Sequence, residues 1–478
     1  MKSLNPIFKQ LNSGYKLQLF VFVIFIFISR LPFLNTGYGV EEDSWGIAVA
    51  AHNTANTGVF EASRLPGHPV QELIYSQLWG AGPFVFNLLT AVFSVIAVLF
   101  FVLSSKSLGF KHYYFAGLAF AFTPVIYISS TYTIDYLWTM AFILGSFYFL
   151  IRGKIIPAGV LLGFAIGCRI TSGIMLIPFS IIIVDKVTIR DNVKNIFKLF
   201  TPTLLVAFLT FIPVIKVYGW DFFMYYDQFP YPPITKVIYK AVFGVWGVIG
   251  FMAVLICFLI GFLRRKKLTE RFLNSKFLKK KYFLVGALII ILYTISYLRL
   301  PQKSAYLIPL VPVIILFFGN YLNSYQFKFF CLSVILSSFL FSINLTDKNR
   351  GAEFSKFAFK ANFSGQEIFL DPLSGPILSD YSKRQQKMDF TNKVLENGKN
   401  IQQKTLIIAG WWYNEIITEL YDRKGNNKVE YVFYIDESGL KKYKEELYSI
   451  YYLPEQNLYN DQMFNMNCTN AFARALFP

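Results

Sequence analysis
The stretch PFVFNLLTAVFSVIAVLFFVLS, Pro83–Ser104, decides what kind of protein this is: its 22 residues carry no charge. About 20 consecutive apolar residues in a helix are what crossing a bilayer requires. Comparable runs lie at 17–34, 113–131, 134–151, 155–168, 171–185, 199–217, 241–263, 282–298, 305–320 and 328–345. The sequence therefore predicts a polytopic helical bundle of about 11 transmembrane helices, with 155–168 and 171–185 a short pair joined by a polar kink. No small-residue cleavage site follows the first run, so no removable signal peptide is expected.

The composition of all 478 residues agrees: 55% are hydrophobic, 19% aromatic and only 15% charged. A soluble chain carries roughly 25% charge, and 52 Phe with 30 Tyr overfill a soluble core. An ordinary cytosolic enzyme, a disordered chain and a nucleic-acid binder are excluded. Of the four cysteines, Cys168, Cys257 and Cys331 sit in apolar runs and Cys468 stands alone, which argues against a disulfide framework.

The net charge of +18 is unevenly placed. Residues 346–478 hold 17 basic and 17 acidic residues, whereas residues 1–345 hold 29 basic and 11 acidic ones, which accounts for the whole excess. We read residues 1–345 as the membrane domain and 346–478 as a water-soluble domain. With the N-terminus inside, the inner loops carry 21 Lys and Arg, nine of them within Arg264–Lys281, and the outer loops eight. Basic loops stay cytoplasmic, so the expectation is N-terminus in and C-terminal domain out. Strand-like Glu367–Asp371, Thr405–Gly410 and Tyr431–Ile435 alternate with helix-compatible Tyr381–Glu396 and Glu415–Tyr421, the pattern of a small α/β domain for packing or acceptor docking.

Carboxylates are expensive near lipid, so their position is informative. Eight of the 11 acids in residues 1–345 fall on the outer side: Glu41, Glu42, Asp43, Glu61, Glu72, Asp135, Asp221 and Asp227. Five lie in the first outer loop, 35–82, which begins GYGVEEDSW and later reads SRLPGHPV. Such a loop presents a candidate general base at the membrane surface, the plain alternative being a solvated acidic turn. Asp135 stands alone at the tip of an apolar hairpin and needs a partner, a function or a capping role. Arg30, Arg169, Arg299 and Lys303 are cations on the side usually depleted of them. They suit a lipid phosphate, or else simple snorkelling to phospholipid.

Three segments, Glu41-Glu42-Asp43-Ser44 with Arg64-Leu65-Pro66-Gly67-His68-Pro69, Thr133-Ile134-Asp135-Tyr136, and Tyr306-Leu307-Ile308-Pro309-Leu310-Val311-Pro312, together resemble the GT-C superfamily of integral-membrane glycosyltransferases. The likeness is to its protein O-mannosyltransferase and aminoarabinose transferase branch and covers most of residues 15–345. It implies a bundle with a cavity on the outer face and a soluble C-terminal domain. It also implies transfer of a hexosyl or pentosyl sugar from a polyprenyl-phosphate-sugar donor to a lipid, glycan or protein acceptor. In that reading Asp43 is the general base, with Glu42 the alternative because the family's acidic pair is here Glu-Glu-Asp. Glu42 or Asp135 orients the acceptor or donor sugar, Glu41 belongs to the loop surface, and Arg64, His68, Arg169, Arg299, Lys303 and Tyr306 bind substrate. No cofactor is required and no nucleic acid is a partner. The expected location is a bacterial inner membrane.

Other classes fit the sequence less well. A transporter or flippase of a lipid-linked or anionic substrate would favour paired broken helices in two similar halves, and no internal repeat is visible. A polysaccharide polymerase would favour a large late outer loop, but the first is the largest. A divalent metal on Glu42, Asp43 and His52 or His68 is the metal-dependent variant, less favoured because the histidines suit loop packing or substrate contact.

Overall fold
The structure is a computed structural model and describes residues 13–184, 188–222, 231–263, 280–347, 358–363, 366–421, 423 and 425–453. Asp227, Cys468 and residues 264–279 of the basic loop lie outside them. The apolar runs become helices α1 (Ser13–Arg30), α4 (Gly82–Ser107), α5 (Tyr113–Phe122) with α6 (Pro124–Ser129), α7 (Tyr136–Ile151), α8 (Ile155–Cys168), α9 (Leu176–Ile183), α10 (Ile189–Tyr218), α11 (Ile234–Leu263), α12 (Lys280–Arg299), α13 (Leu310–Tyr321) and α14 (Ser324–Ser337). Two shorter helices, α2 (Glu42–Thr57) and α3 (Pro69–Gln77), fold from the first loop. Five of the described helices are long and apolar enough to cross a membrane, and α7, α8 and α13 are shorter apolar ones. On α10, Leu204, Leu205, Phe208 and Leu209 are more than half exposed, as a lipid-facing surface requires. The chain is built as an integral membrane protein.

Close helix approach is written into the sequence. Gly159, Gly163 and Gly167 repeat at four-residue spacing along α8, and a Cβ on any of them would come within 2.5–2.6 Å of α10 or Val70 atoms. Small residues at this spacing let helices pack backbone to backbone in lipid. Thr203 Oγ1 donates to Gly159 O at 3.0 Å across the seam. In α11 the helix breaks at Gly247, where φ is +64° and a Cβ would meet Ser337 Oγ at 2.4 Å. Only glycine tolerates both the backbone angle and the contact.

The helices alternate in direction. At one end Lys106 lies over the Tyr15 ring, and Lys281 Nζ donates to Val184 O at 3.2 Å. At the other end α1 finishes, α3 meets α8 with Val70 against Gly167, and the turn after α12 returns. This second end carries the polar cluster described below.

The C-terminal region contains two small sheets. Strands β1 (Ser342–Asp347), β2 (Phe359–Phe363) and β3 (Gln366–Asp371) are antiparallel in the order β1-β3-β2, with Ile343 opposite Leu370. After α15 (Pro376–Lys399), strands β4 (Thr405–Ile408), β5 (Val429–Val432) and β6 (Ser449–Tyr452) are parallel in the order β5-β4-β6. Helix α16 (Tyr413–Tyr421) links β4 to β5, and α17 (Glu437–Glu445) links β5 to β6. All four β4 residues are buried, Ile407 against Val394 and Ile416, and Leu406 with Ile408 against Leu440 and Tyr452. A central parallel strand covered on both faces reads this way.

This region is seated on the bundle. Arg384 of α15 is fully buried and donates to Phe33 O at 2.9 Å, Thr131 O at 3.0 Å and Thr131 Oγ1 at 3.2 Å, with Asp380 ion-paired at 3.0 Å. Tyr421 of α16 stacks on His52 of α2, ring centroids 3.4 Å apart, and Trp79 meets both rings edge-on.

Candidate active site
The first loop is folded around Glu72. This buried carboxylate on α3 accepts from Ser63 N at 2.8 Å, Ser63 Oγ at 2.6 Å and His68 N at 2.8 Å. The turn between Ser63 and His68 is thereby fixed, and Arg64 is held over the end of the bundle. Helix α2 starts just after Glu41, so Glu42 and Asp43 occupy its first turn, where the positive end of the helix favours acids. Arg169 stands at the tip of α8, before the 3-10 turn Ile170–Met175 that leads into α9.

These elements converge on Asp135, which is fully buried just before α7. Arg64 Nη2 donates to its Oδ1 at 3.0 Å and Arg169 Nη1 to its Oδ2 at 2.7 Å. His68 Nδ1 is 3.6 Å from Oδ2 but donates to Cys168 O at 2.7 Å, which leaves Nε2 as the unprotonated nitrogen, buried and without a partner. Burial lowers the His68 pKa, with Arg64 and Arg169 opposing protonation and Asp135 favouring it. The imidazole is therefore neutral at pH 7.

Arg64 bridges two carboxylates. Its Nη1 lies 2.9 Å from Asp43 Oδ2, the oxygen that also takes Lys303 Nζ, while Lys303 reaches Glu41 Oε2 at 2.5 Å. Burial alone would raise the Asp43 carboxyl, but Arg64 and Lys303 outweigh it and hold the group well below the usual carboxylate range. Burial likewise pulls Lys303 down, and Glu41 and Asp43 reverse that, leaving its pKa well above ordinary. Glu42 differs. Burial, aided by Glu415 and Asp43, pushes it up to about 8 against Lys387 and Lys303. Adjacent carboxyls thus hold opposite protonation states at neutral pH.

Arg169 also stacks between Tyr136 and Tyr306, 4.7 Å from each ring. From Met175, six residues past Arg169, and Pro309, three past Tyr306, an apolar cavity runs between α4, α7, α9, α12 and α13 toward the other end of the bundle. It is lined by Met140, Phe147, Phe179 and Ile289 among others.

Asp43, Asp135, Arg64, His68, Arg169, Lys303 and Tyr306 come together in this way, with Glu42 on the side toward the C-terminal region. Three expectations are corrected. Arg299 is exposed at the end of α12 and forms no ion pair among the described residues. The chain stops being helical before Pro301 and turns, so Lys303 points inward and Arg299 does not. Arg30 faces away from the cluster: it donates to Ala121 O at 2.6 Å and Ser29 Oγ at 2.7 Å and lies over the Phe122 and Tyr127 rings. Glu41 is likewise more than loop surface, because Lys303 claims it.

Reading the sequence missed Glu72 and Tyr136. It also missed Asn414, Lys387 and Glu415 from the C-terminal region. Asn414 Nδ2 reaches Glu42 Oε1 at 3.4 Å, and Lys387 donates to Glu415 and, at 2.9 Å, to Val40 O. Local sequence carries no signal for the contacts to Glu42 and Val40, which span more than 300 residues of chain. Among the described residues no group of three or more His, Cys, Asp and Glu could hold a metal ion.

No family model and no curated protein sequence matches the chain. Among solved structures it is similar to ArnT from Cupriavidus metallidurans in the apo state, with TM-score 0.52 and 10% identity over 93% of this chain and 94% of that one. It is also similar to the same protein bound to undecaprenyl phosphate, with TM-score 0.52 and 11% identity over 92% of this chain and 90% of that one. At such identity the likeness is one of fold, and the fold it shows is an ArnT-like membrane bundle, here with a small α/β region at one end.

Proposed function
We propose that this chain is a glycosyltransferase that uses a polyprenyl-phosphate-sugar donor at the non-cytoplasmic face of a bacterial inner membrane. The observation that carries the reading is the juxtaposition of three cations, Arg64, Arg169 and Lys303, with an apolar cavity whose lining begins at Met175 and Pro309, six residues beyond Arg169 and Lys303. A phosphate on an isoprenoid tail is the ligand that needs both. Guanidinium and ammonium groups take phosphate oxygens in strong charge-assisted bonds, and the tail takes the lipid-side cavity. The solved neighbour bound to undecaprenyl phosphate supports the same class of donor. The excess of basic residues in the loops at the opposite end supports the orientation.

In the reaction, an acceptor hydroxyl or amine attacks the anomeric carbon of the donor sugar. The bond from that carbon to the phosphate oxygen breaks, and Asp43 takes the acceptor's proton. Ion-paired with Lys303 and Arg64, Asp43 is a poor base. A phosphate entering the site competes for those same cations and draws Lys303 away, which restores basicity to the carboxylate when donor is present. Lys303 and the two arginines then stabilise the leaving phosphate. Asp135 is a positioning residue that aims both guanidinium groups. Glu42, protonated at neutral pH, is the alternative base only where it is ionised.

The test is binding of undecaprenyl phosphate to the purified chain, followed by release of undecaprenyl phosphate from a glycosylated donor in the presence of membrane acceptors. Saturable binding that phosphate-free undecaprenol does not compete away is expected. Equal binding of undecaprenol and undecaprenyl phosphate would sink the reading.

A further inference from the structure
The parallel sheet of the C-terminal region has a topological switch point. Its order β5-β4-β6 sends the chain out of β4 to one side through α16 and later back to the other side through α17. In open parallel sheets, ligands bind outside the carboxyl ends of the strands at such a switch point. Residues Gly410, Trp411 and Trp412 form that end of β4, and Phe433 with Tyr434 follow β5.

This edge is turned toward the transfer site. Helix α16 lies along α2 with Asn414 at Glu42 and Gly46, and Tyr421 at His52 and Asn53. Trp411 lies in the 3-10 turn Gly410–Trp412 that leads into α16, three residues before Asn414, and so near the end of α16 that meets Glu42 at the start of α2. It is 36% exposed, braced edge-on by Phe433 at 5.7 Å, and Tyr434 beside it is 40% exposed. Asn414 follows three residues on, and its amide makes only a long bond to Glu42.

We infer that this edge is a carbohydrate-binding wall of the transfer site, with Trp411 as the stacking platform and Asn414 as its hydroxyl-binding partner. A sugar ring presents a face of C–H groups bounded by hydroxyls. An exposed indole offers the matching flat apolar surface, and a planar amide near it satisfies hydroxyls. An aliphatic or purely anionic ligand would match only half of this set. The inference rests on the sugar-transfer reading and deepens it, because the soluble region then recognises sugar and the bundle holds lipid phosphate.

The experiment is saturation-transfer NMR on the full-length protein in nanodiscs, with methyl glycosides of glucose, mannose and arabinose as probes. At least one glycoside binds wild type, Trp411→Ala weakens it about two- to tenfold, and Trp411→Phe keeps most of the affinity. Trp220→Ala, which removes another exposed indole, leaves it unchanged. No glycoside binding by wild type, or equal binding by Trp411→Ala, overturns the wall.

Undecaprenyl phosphate and its glucosylated form are titrated against the same samples. Loss of affinity for the glucosylated lipid alone in Trp411→Ala makes the donor's sugar the occupant. Unchanged lipid binding with lost glycoside binding makes it the acceptor's. Wild type that binds lipid phosphate but no glycoside defeats the wall and spares the transferase reading, and the reverse result defeats the transferase reading and spares the wall.

Discussion
Two pairs of arginines sit at the same end of the bundle and do opposite jobs. Arg30 and Arg384 are fully buried and donate chiefly to main-chain carbonyls, those of Ile26, Ala121, Phe33 and Thr131. Arg64 and Arg169 are each 18% exposed and share the carboxylate of Asp135. A carbonyl partner is part of the backbone, so a ligand cannot displace it without unfolding the segment. A carboxylate partner resembles a phosphate in charge and geometry, so an incoming phosphate exchanges with it. The difference teaches where to look in a charged membrane rim: partner chemistry, more than the cation itself, separates a bolt from a binding site.

The largest break in that comparison is Asp43→Asn. General-base catalysis contributes typically about 10²- to 10⁴-fold, so sugar transfer falls at least about 100-fold. Undecaprenyl phosphate binding holds or tightens, because Lys303 and Arg64 lose a competing carboxylate. Glu42→Gln is measured beside it. A transfer rate that survives Asp43→Asn but not Glu42→Gln moves the base by one residue.

Next come the cations themselves. Lys303→Ala removes a charge-assisted contact and weakens undecaprenyl phosphate about 10- to 100-fold with little change in thermal midpoint. Arg384→Met does the reverse. It leaves Asp380 buried and unpaired at a cost of about 3 kcal/mol, and the protein that remains folded binds the lipid normally. Should Arg384→Met lose lipid affinity without losing stability, the division into bolt and binding site is wrong.

Much of this was legible in the sequence because charge in an apolar chain stands out. The spans follow from run length, whereas the close helix pair at Gly159, Gly163 and Gly167 emerges only in the fold. Asp135, Arg169 and Lys303 are visible because lipid makes isolated charges costly. Their pairing is not, since nothing local links Arg64 to an acid 71 residues away. Arg299 and Lys303 look equivalent on paper and are separated only by the turn at Pro301. In the C-terminal region β3, β4 and β5 show as apolar strands. The first strand, β1, is hidden because it continues the last apolar span, and the Tyr-rich β6 lacks contrast with its surroundings. Glu72 carries no motif, because its role is to accept three bonds from a turn of irregular shape.

Glu42 sharpens the comparison through pH. Its carboxyl is raised to about 8 by burial and by Glu415 and Asp43, whereas in the unfolded chain it titrates near the ordinary 4.5. Between those values the folded state holds the proton and the unfolded state has lost it. Stability therefore declines as pH rises from about 4.5 to about 8, and the decline is complete above that. In wild type the thermal midpoint drifts down across this window. Glu42→Gln removes that component, and an identical slope in both proteins would place Glu42 in water.

The smallest expected effect falls on Arg299. It is a cation on the same rim, four residues before Lys303, and sequence alone assigns it to the lipid phosphate with equal force. Its exposure and lack of an ion pair among the described residues put it in neither class of the comparison: it is not bolted to carbonyls, nor does it share a carboxylate with the cluster. Exposed charges contribute about 0–1 kcal/mol to a contact. Arg299→Ala should therefore change undecaprenyl phosphate affinity by less than about fivefold, and raising the salt concentration should erase even that. A loss as large as that of Lys303→Ala, persisting at high salt, would mean that Arg299 swings into the site when the phosphate arrives. Exposure in the empty site would then be a poor guide to which cations bind.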